Sequence, residues 1–423
     1  MRRVAVTGLG IVSPFGRGRR VFFDSIAAGL GGLKPVTRFD TAGLPAHWAG
    51  EVPRTDELIK ELTDSYGCVS GTGGLSLEQT LDRDIKIAFA LAAAEEAVEE
   101  AGLKSFDRKT LIHLGVSLET FSLAAVGSIK GLDPLATQKL MVGASLRIPL
   151  DRAVSLIEAR YGRAGLSLTN CSACAAGLEA LGQAYRAVAG GEFELAVAGA
   201  FDSLINPLGL GGFYLLGALA EGEPEEPWPL CRPFDVQRRG LVMGEGAAVM
   251  VLEPLEKARA CGRKIYGEIL SYGASLDAYS LSAPDPAGSG AFRAMEAALS
   301  AAKLSPLEVD HLNAHGTGTV LNDPIEAGAV RRLFPNWPQL PVAAVKSMTG
   351  HAIAAAGALE AAACLFAFER NLIPPNVGLE TAGPGCELFH VQDIGQPFSG
   401  SVILTNSFGF GGQNAAMTFR RVI

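Results

Sequence analysis

Positive charge is in short supply in this chain. Its 423 residues hold 36 Lys and Arg against 44 Asp and Glu, a net charge of −8. That argues against a general nucleic-acid binder, and a docking patch for an acidic partner must be local. Charged residues make up only 19% and hydrophobic ones 48%, so the chain is globular and not disordered. Its length suits one large domain or two fused ones. A disulfide framework is also missing. The 7 cysteines, at 68, 171, 174, 231, 261, 364 and 386, are scattered and odd in number, which points to a reducing, cytoplasmic setting. No apolar run is long enough to cross a membrane. The longest one near a helix, residues 352–368, contains Glu360 and falls short of the ~20 residues a span needs. It reads as a buried helix. The N-terminus superficially resembles a signal peptide, but glycine and Pro14 break its apolar stretch and Arg17, Arg19 and Arg20 follow. It reads as a first buried strand. No low-complexity tail is present, and the acidic, proline-rich segment 221–227 reads as a surface loop.

What the chain does have is Cys174 in a telling place. In Ser167-Leu168-Thr169-Asn170-Cys171-Ser172-Ala173-Cys174-Ala175-Ala176-Gly177-Leu178 an apolar run stops and a helix-forming run begins. This predicts a strand, a tight small-residue turn and a cysteine at a helix N-terminus. The N–H groups and dipole of a helix start favour negative charge. A thiol there is expected to ionise more easily, and the thiolate is the nucleophile. Downstream lie Asn313-Ala314-His315-Gly316-Thr317-Gly318-Thr319 and Lys346-Ser347-Met348-Thr349-Gly350-His351. One cysteine, two histidines and one lysine make a plausible covalent acyl-transfer site. Small residues after His315 let a ligand approach the backbone, and two threonine hydroxyls can bond an amide-rich ligand arm. Lys346 and Glu360 can pair inside the site or stand as a solvated surface pair. Asn406-Ser407-Phe408-Gly409-Phe410-Gly411-Gly412 follows a strand, and its glycines would let Phe410 swing as a gate.

Strand-like runs alternate with helix-like runs. Residues 4–10 read as a strand and turn, with strands also expected at 195–200, 246–252, 342–345 and 402–405. Helices are expected at 84–102, 178–188, 292–302 and 352–370. Continuous apolar strands separated by helices argue for an α/β protein whose sheets are buried on both faces. The two halves look alike in outline, 1–255 carrying the cysteine and 256–423 the histidines, lysine and glycine-rich loop. No residue-level repeat is evident.

Two motifs have blander readings. Cys171 and Cys174 form C-x-x-C, but a redox role needs a thioredoxin-like setting and a zinc site needs a second pair. Gly8-Leu9-Gly10-Ile11-Val12-Ser13 nearly matches a dinucleotide loop but lacks its third glycine, so a structural strand–turn reading is favoured.

Together these residues resemble the β-ketoacyl-acyl carrier protein synthases, condensing enzymes of the thiolase superfamily, and the synthase I/II type most closely. The likeness runs from Val6-Thr7-Gly8-Leu9-Gly10 through Ala173-Cys174-Ala175-Ala176-Gly177, Arg232-Pro233-Phe234-Asp235 and Gly244-Glu245-Gly246-Ala247 to the His315, Lys346/His351 and Asn406–Gly412 motifs. It implies a five-layered α-β-α-β-α thiolase-like fold of two similar halves and a homodimer, with a heterodimer as the alternative. It implies Cys174 as nucleophile, His315 and His351 as decarboxylation groups, Lys346 orienting the site and Glu360 behind it. It places Phe410 in the oxyanion hole and gate with Gly409 and Phe213, and assigns Thr317, Thr319, Ser282 and Glu119 to the pantetheine and acyl arm. The implied partner is an acyl carrier protein bearing acyl and malonyl groups. No cofactor, metal, nucleic acid or membrane is implied. Glu119 falls where an apolar residue often lines the acyl tunnel. Gly217 stands where synthase II enzymes often carry a carrier-docking arginine, and Arg239 replaces a usual aspartate. A thiolase and a non-catalytic partner subunit are the competing functions.

Overall fold

The computed structural model describes residues 1–44, 46–67, 69, 75–118, 149–221, 230–392 and 394–422. Glu119, Cys68 and residues 222–227 of the acidic loop lie outside the described residues. Two halves repeat one order of elements. The first holds β1 (Val4–Ser13), α1 (Ile85–Glu100), β2 (Thr110–Gly115), a helix at Arg152–Tyr161 that is the counterpart of α4, β3 (Leu166–Asn170), α2 (Ala176–Gly190), β4 (Leu195–Ser203) and β5 (Glu245–Pro254). The second holds β6 (Gly267–Leu276), α3 (Ser289–Ala302), β7 (His311–Asn313), α4 (Asn322–Leu333), β8 (Pro341–Ala343), α5 (Ala356–Arg370), β9 (Val402–Gly409) and β10 (Gln413–Arg420).

Across the sheets the order is β3-β2-β4-β5-β1 and β8-β7-β9-β10-β6. In each, the first three strands are parallel and the last two antiparallel. The first strand of each half, β1 and β6, pair with each other through Val4↔Ile269, Ala5↔Glu268 and Val6↔Gly267. Helix α1 covers the outer face of the first sheet and α3 that of the second, while α2 and α5 pack on each other between the sheets. This is the five-layered α-β-α-β-α arrangement, and each sheet carries helices on both faces.

The burial follows from the sequence. Every position of β1, β4 and β5 is buried, as continuous apolar and small-residue strands require. Helix α5 is buried at each position from Ala356 to Phe368, which suits a helix apolar on all sides. No helix among the described residues is long and apolar enough to cross a membrane.

Two local expectations are corrected. β1 does not turn at Gly10 but runs on to Ser13. A Cβ on Gly8 would lie 2.0 Å from Ala97 O, and one on Gly10 would lie 1.9 Å from Ala93 O. These glycines let α1 rest on the strand backbone, so the G-x-G is a helix–strand contact within a strand. The run 352–370 is not one helix either. A 3₁₀ turn, Ile353–Ala355, precedes α5.

Candidate active site

The crossing of the two central helices builds the site. α2 follows a 3₁₀ turn, Ala173–Ala175, as α5 follows Ile353–Ala355. Each turn opens on a non-glycine residue at positive φ, Ala173 at 48° and Ile353 at 46°. Such strain persists only where the surroundings over-determine it. The two segments match residue by residue, Ala173-Cys174-Ala175-Ala176-Gly177 against Ile353-Ala354-Ala355-Ala356-Gly357, so Ala354 is the counterpart of Cys174. A Cβ on Gly177 would lie 2.7 Å from Ala358 N, and one on Gly357 would lie 3.0 Å from Leu178 N. Only glycine lets the helix starts approach this closely, and the approach sets the Cys174 turn beside the His351 turn.

Cys174, His315 and His351 line one cavity of about 140 Å³. Thr317, Thr319, Ser282, Gly409 and Phe410 line it too, and the Phe213 ring sits 5.8 Å from that of Phe410. The Phe410 N–H bonds the Cys174 sulfur. A Cβ on Gly409 would stand 3.0 Å from Cys174 N. The thiol itself differs from expectation. Burial pushes it up to about 12, against the lowering pull of the Lys346 charge and the Phe410 N–H. A helix start favours the thiolate, but the loss of solvation at the buried sulfur outweighs it.

Both histidines are held neutral and in one tautomer. Lys346 Nζ donates to His315 Nδ1 at 3.0 Å, and the Ile353 N–H donates to His351 Nδ1 at 3.1 Å. With Nδ1 accepting, the proton sits on Nε2 of each ring. Burial, helped by the Lys346 charge, lowers both far below the usual histidine range. The rings lie edge to face, 5.3 Å apart. Lys346 and Glu360 bond each other with side chains 1% exposed, so this pair lies inside the protein and not on its surface. Ser407 Oγ donates to Glu360 Oε2 at 3.2 Å. Burial raises the Glu360 carboxyl to about 7 despite Lys346.

Sequence reasoning missed the carboxylates that shape the His315 loop. Glu326 accepts the His315 and Gly316 N–H groups, each at 2.8 Å. Asp323 accepts those of Thr317 and Gly318 at 3.1 Å. Their i, i+3 spacing at the start of α4 was the available signal. The glycine-rich loop is latched as well. Asn414 Nδ2 donates to Asp277 Oδ1 at 2.7 Å, the Asp277 N–H to Gly412 O at 2.9 Å, and the Gly411 N–H to Leu281 O at 2.8 Å. In the C-x-x-C, both thiols are free, and Cys171 Sγ bonds Ser117 O at 2.6 Å.

The "Beta-ketoacyl synthase, N-terminal domain" family matches residues 1–258, and the "Beta-ketoacyl synthase, C-terminal domain" family matches residues 266–380. A 3-oxoacyl-[acyl-carrier-protein] synthase 2 of Coxiella burnetii is 35% identical over 425 residues, covering 100% of this chain and 99% of its own. One of Synechocystis sp. is 34% identical over 428 residues, covering 99% and 98%. Among solved structures, the ishigamide ketosynthase/chain length factor matches with a TM-score of 0.85 at 31% identity. A type II PKS ketosynthase solved in complex with its acyl-carrier protein matches with a TM-score of 0.84 at 28%. Both matches cover 100% of each chain. The chain belongs to the β-ketoacyl synthase family.

Proposed function

We propose that the chain is a β-ketoacyl-[acyl-carrier-protein] synthase that lengthens an acyl chain by decarboxylative Claisen condensation. The observation that carries this is one buried cysteine facing two neutral histidines in a single cavity. In the first half-reaction the Cys174 sulfur attacks the acyl thioester of a carrier. Its oxyanion is held by the backbone N–H groups of Cys174 and Phe410. The carrier thiol leaves with the proton that Cys174 gives up, and the acyl group stays on Cys174. Malonyl-carrier then enters. The malonyl carboxylate leaves as carbon dioxide, and its bonding pair becomes an enolate. Nε2–H of His315 and of His351 hydrogen-bond the enolate oxygen. The enolate carbon attacks the Cys174 thioester, the β-ketoacyl carrier leaves, and the released thiolate takes up one proton. Lys346 and Glu360 hold His315 in the donating tautomer. Thr317, Thr319 and Ser282 line the path of the pantetheine arm.

A thiolase pairs its nucleophile with a second cysteine. Among the described residues Cys174 is the only cysteine lining the cavity, which favours condensation. We place the join of the halves at residue 255 and the protein in the cytoplasm, where the free thiols of Cys171, Cys174, Cys231, Cys261, Cys364 and Cys386 are at home. We also propose a homodimer. β3 is the last strand of its sheet and exposes Leu166 and Leu168, a pairing edge for a second copy. A specialised polyketide or polyene role is the second reading, favoured by the likeness to a type II PKS ketosynthase.

Intact mass after incubation with acyl-carrier protein tests the reaction. The acyl adduct should vanish in Cys174→Ala and persist in Cys171→Ala, and carbon dioxide should form only with malonyl-carrier. Absence of any adduct on the wild type would falsify the catalytic reading and favour the partner-subunit one. Comparing saturated, unsaturated and aryl acyl-carriers decides the pathway, and equal or better turnover of saturated medium chains sinks the specialised reading.

A further inference from the structure

The paired turns at the helix crossing are not used alike. In each, the first N–H reaches back to a side chain two residues earlier. That of Ala173 bonds the Cys171 sulfur, and that of Ile353 bonds His351 Nδ1 at 3.1 Å. The next N–H differs between the turns. That of Cys174 faces the substrate oxyanion in the proposed reaction. Its counterpart on Ala354 is taken by a carboxylate, Asp202 Oδ2, at 3.0 Å. Asp202 stands near the end of β4 and is 1% exposed. Its other oxygen, Oδ1, accepts the Ser203 N–H at 3.0 Å. A buried anion from the first half thus fills, in the second, the place that the first half gives to an oxyanion. The start of α5 suits a negative charge there. The reaction steps derived above make no use of this carboxylate.

We propose that Asp202 is a positioning residue for decarboxylation, whose carboxylate pins the Ile353 turn and so keeps the His351 proton on Nε2. The inference rests on the reading that His351 Nε2–H bonds the enolate oxygen. Ile353 is β-branched and sits at φ 46°. Such residues avoid that conformation and keep it only where the surroundings over-determine it. Before the turn, backbone groups fix the chain. The His351 N–H donates to Val242 O at 2.7 Å, and His351 O accepts the Gly244 N–H at 2.9 Å. After Ile353, it is the Asp202 side chain that fixes Ala354. Hydrogen bonds to an ionised acceptor are the strong ones. Without the carboxylate Ile353 can relax toward negative φ, and its N–H turns away from His351 Nδ1. The ring proton is then free to move to Nδ1, which leaves Nε2 bare and unable to donate. Asp202 does not line the cavity, so it acts through the turn and not on the substrate. After burial, its charge is among the causes that raise the Cys174 thiol, so removing it should not slow acylation.

The test reads the two half-reactions separately on the full-length protein, in the wild type, Asp202→Ala and Asp202→Asn. One readout is the Cys174 adduct formed from acyl-carrier protein, by intact mass. Another is carbon dioxide release from malonyl-carrier. The third is the NMR shifts of the His351 ring nitrogens in protein carrying isotope-labelled histidine, assigned as the signals missing from His351→Gln. In the wild type His351 should be protonated on Nε2 alone. Asp202→Ala should release carbon dioxide about tenfold or more slowly, since a misplacement near 1 Å can cost about 10²-fold. It should also show His351 as a mixture of tautomers, while its adduct forms at no less than about a third of the wild-type rate. Asp202→Asn keeps the shape but offers one acceptor to two N–H groups, so it should show the same pattern with a smaller loss. That variant decides the matter if Asp202→Ala does not fold. The proposal is overturned if wild-type His351 carries its proton on Nδ1, or if the variants keep either the wild-type tautomer or the wild-type rate of release. It is overturned as well if adduct formation and release fall by the same factor, which would mark a purely structural carboxylate. A wild type that releases no carbon dioxide overturns the proposed reaction, and the His351 shifts of the variants alone then decide the positioning.

Discussion

Gly177→Ala isolates what the central helix crossing does for the site. The added Cβ would lie 2.7 Å from Ala358 N, 2.9 Å from Ala354 O and 3.3 Å from Ala200 Cβ, where ordinary contact begins at 3.4 Å. The first two partners are backbone atoms of the opposing turn and helix, so no side chain can swing aside. One helix start must move by roughly 0.5–0.7 Å. Overpacking of this kind costs about 1–3 kcal/mol. The helix-propensity gain of alanine over glycine, at most about 1 kcal/mol, offsets part of that, leaving a net loss of about 0–2 kcal/mol. The effect on rate should be larger than the effect on stability. The shift separates the Cys174 turn from the His351 turn, and a misplacement near 1 Å can cost about 10²-fold in rate. Condensation should fall by about tenfold or more, with a melting temperature lowered by only a few degrees. Gly190→Ala is the control. It changes the same helix in the same way, with nothing within 4 Å of the new Cβ, and should keep full turnover and gain slightly in stability. Equal melting temperatures and equal turnover in the two variants would refute the role assigned to the crossing.

Gly409→Ala presses its Cβ to 3.0 Å from Cys174 N. Losing one oxyanion donor costs about 10²–10³ in rate, so turnover should drop that far while the melting temperature barely moves. Because burial holds the Cys174 thiol up at about 12, its alkylation should still be accelerating between about pH 8 and about pH 10. Peptide mass mapping should find exposed Cys261 labelled first, and a Cys174 rate that levels off near neutral pH would contradict the burial argument. Burial holds His113, His311, His315, His351 and His390 below the ordinary histidine value of about 6.5 in the folded chain. The unfolded chain therefore takes up protons that the folded one cannot. Their stability contribution is full above about 6.5 and is lost as pH falls, by about 1.4 kcal/mol per pH unit for each group. Six carboxyls that burial raises, those of Glu96, Glu179, Asp202, Asp323, Glu326 and Glu360, act in the opposite sense, so the histidine contribution is read one residue at a time. His113→Gln removes one of the five, so the melting-temperature gap between wild type and variant should shift in the variant's favour from pH 7 to pH 5, and a constant gap would overturn the argument.

Much of this was legible from residue order because the chemistry is written locally. Cys174 and His315 sit in short runs of small residues, and those runs are turns in space for the reason they look like turns in sequence, since bulky side chains would not fit. The buried strands 195–203 and 245–254 announced themselves as continuous apolar runs because helices cover both of their faces. The features that stayed hidden depend on partners distant in the chain. Gly8 and Gly10 read as a turn, yet their job is set by Ala93 and Ala97 of a helix about 90 residues on. The Cys174 thiol was expected to ionise easily because a helix start is local, while the burial that reverses the expectation comes from residues distant in the chain, among them Leu204, Leu241, Ile353 and Phe410. The role of Asp323 and Glu326 is likewise set from outside their helix, by the His315 loop that folds back onto them.

The same reasoning explains why the halves look alike in outline while no residue-level repeat is evident. Between Ala173–Gly177 and Ile353–Gly357 just three of the five positions are identical, and all three are alanine or glycine. What the copies share is geometry, a residue strained to positive φ, a 3₁₀ turn and a helix start, and that geometry tolerates alanine where the first half has its nucleophile. In the second half the strained Ile353 does different work. Its N–H fixes the His351 tautomer, and the next N–H, that of Ala354, bonds Asp202 at 3.0 Å. One half of the duplicated turn presents the sulfur, and the other orients the histidine that faces it. The site therefore exists only where the two halves meet.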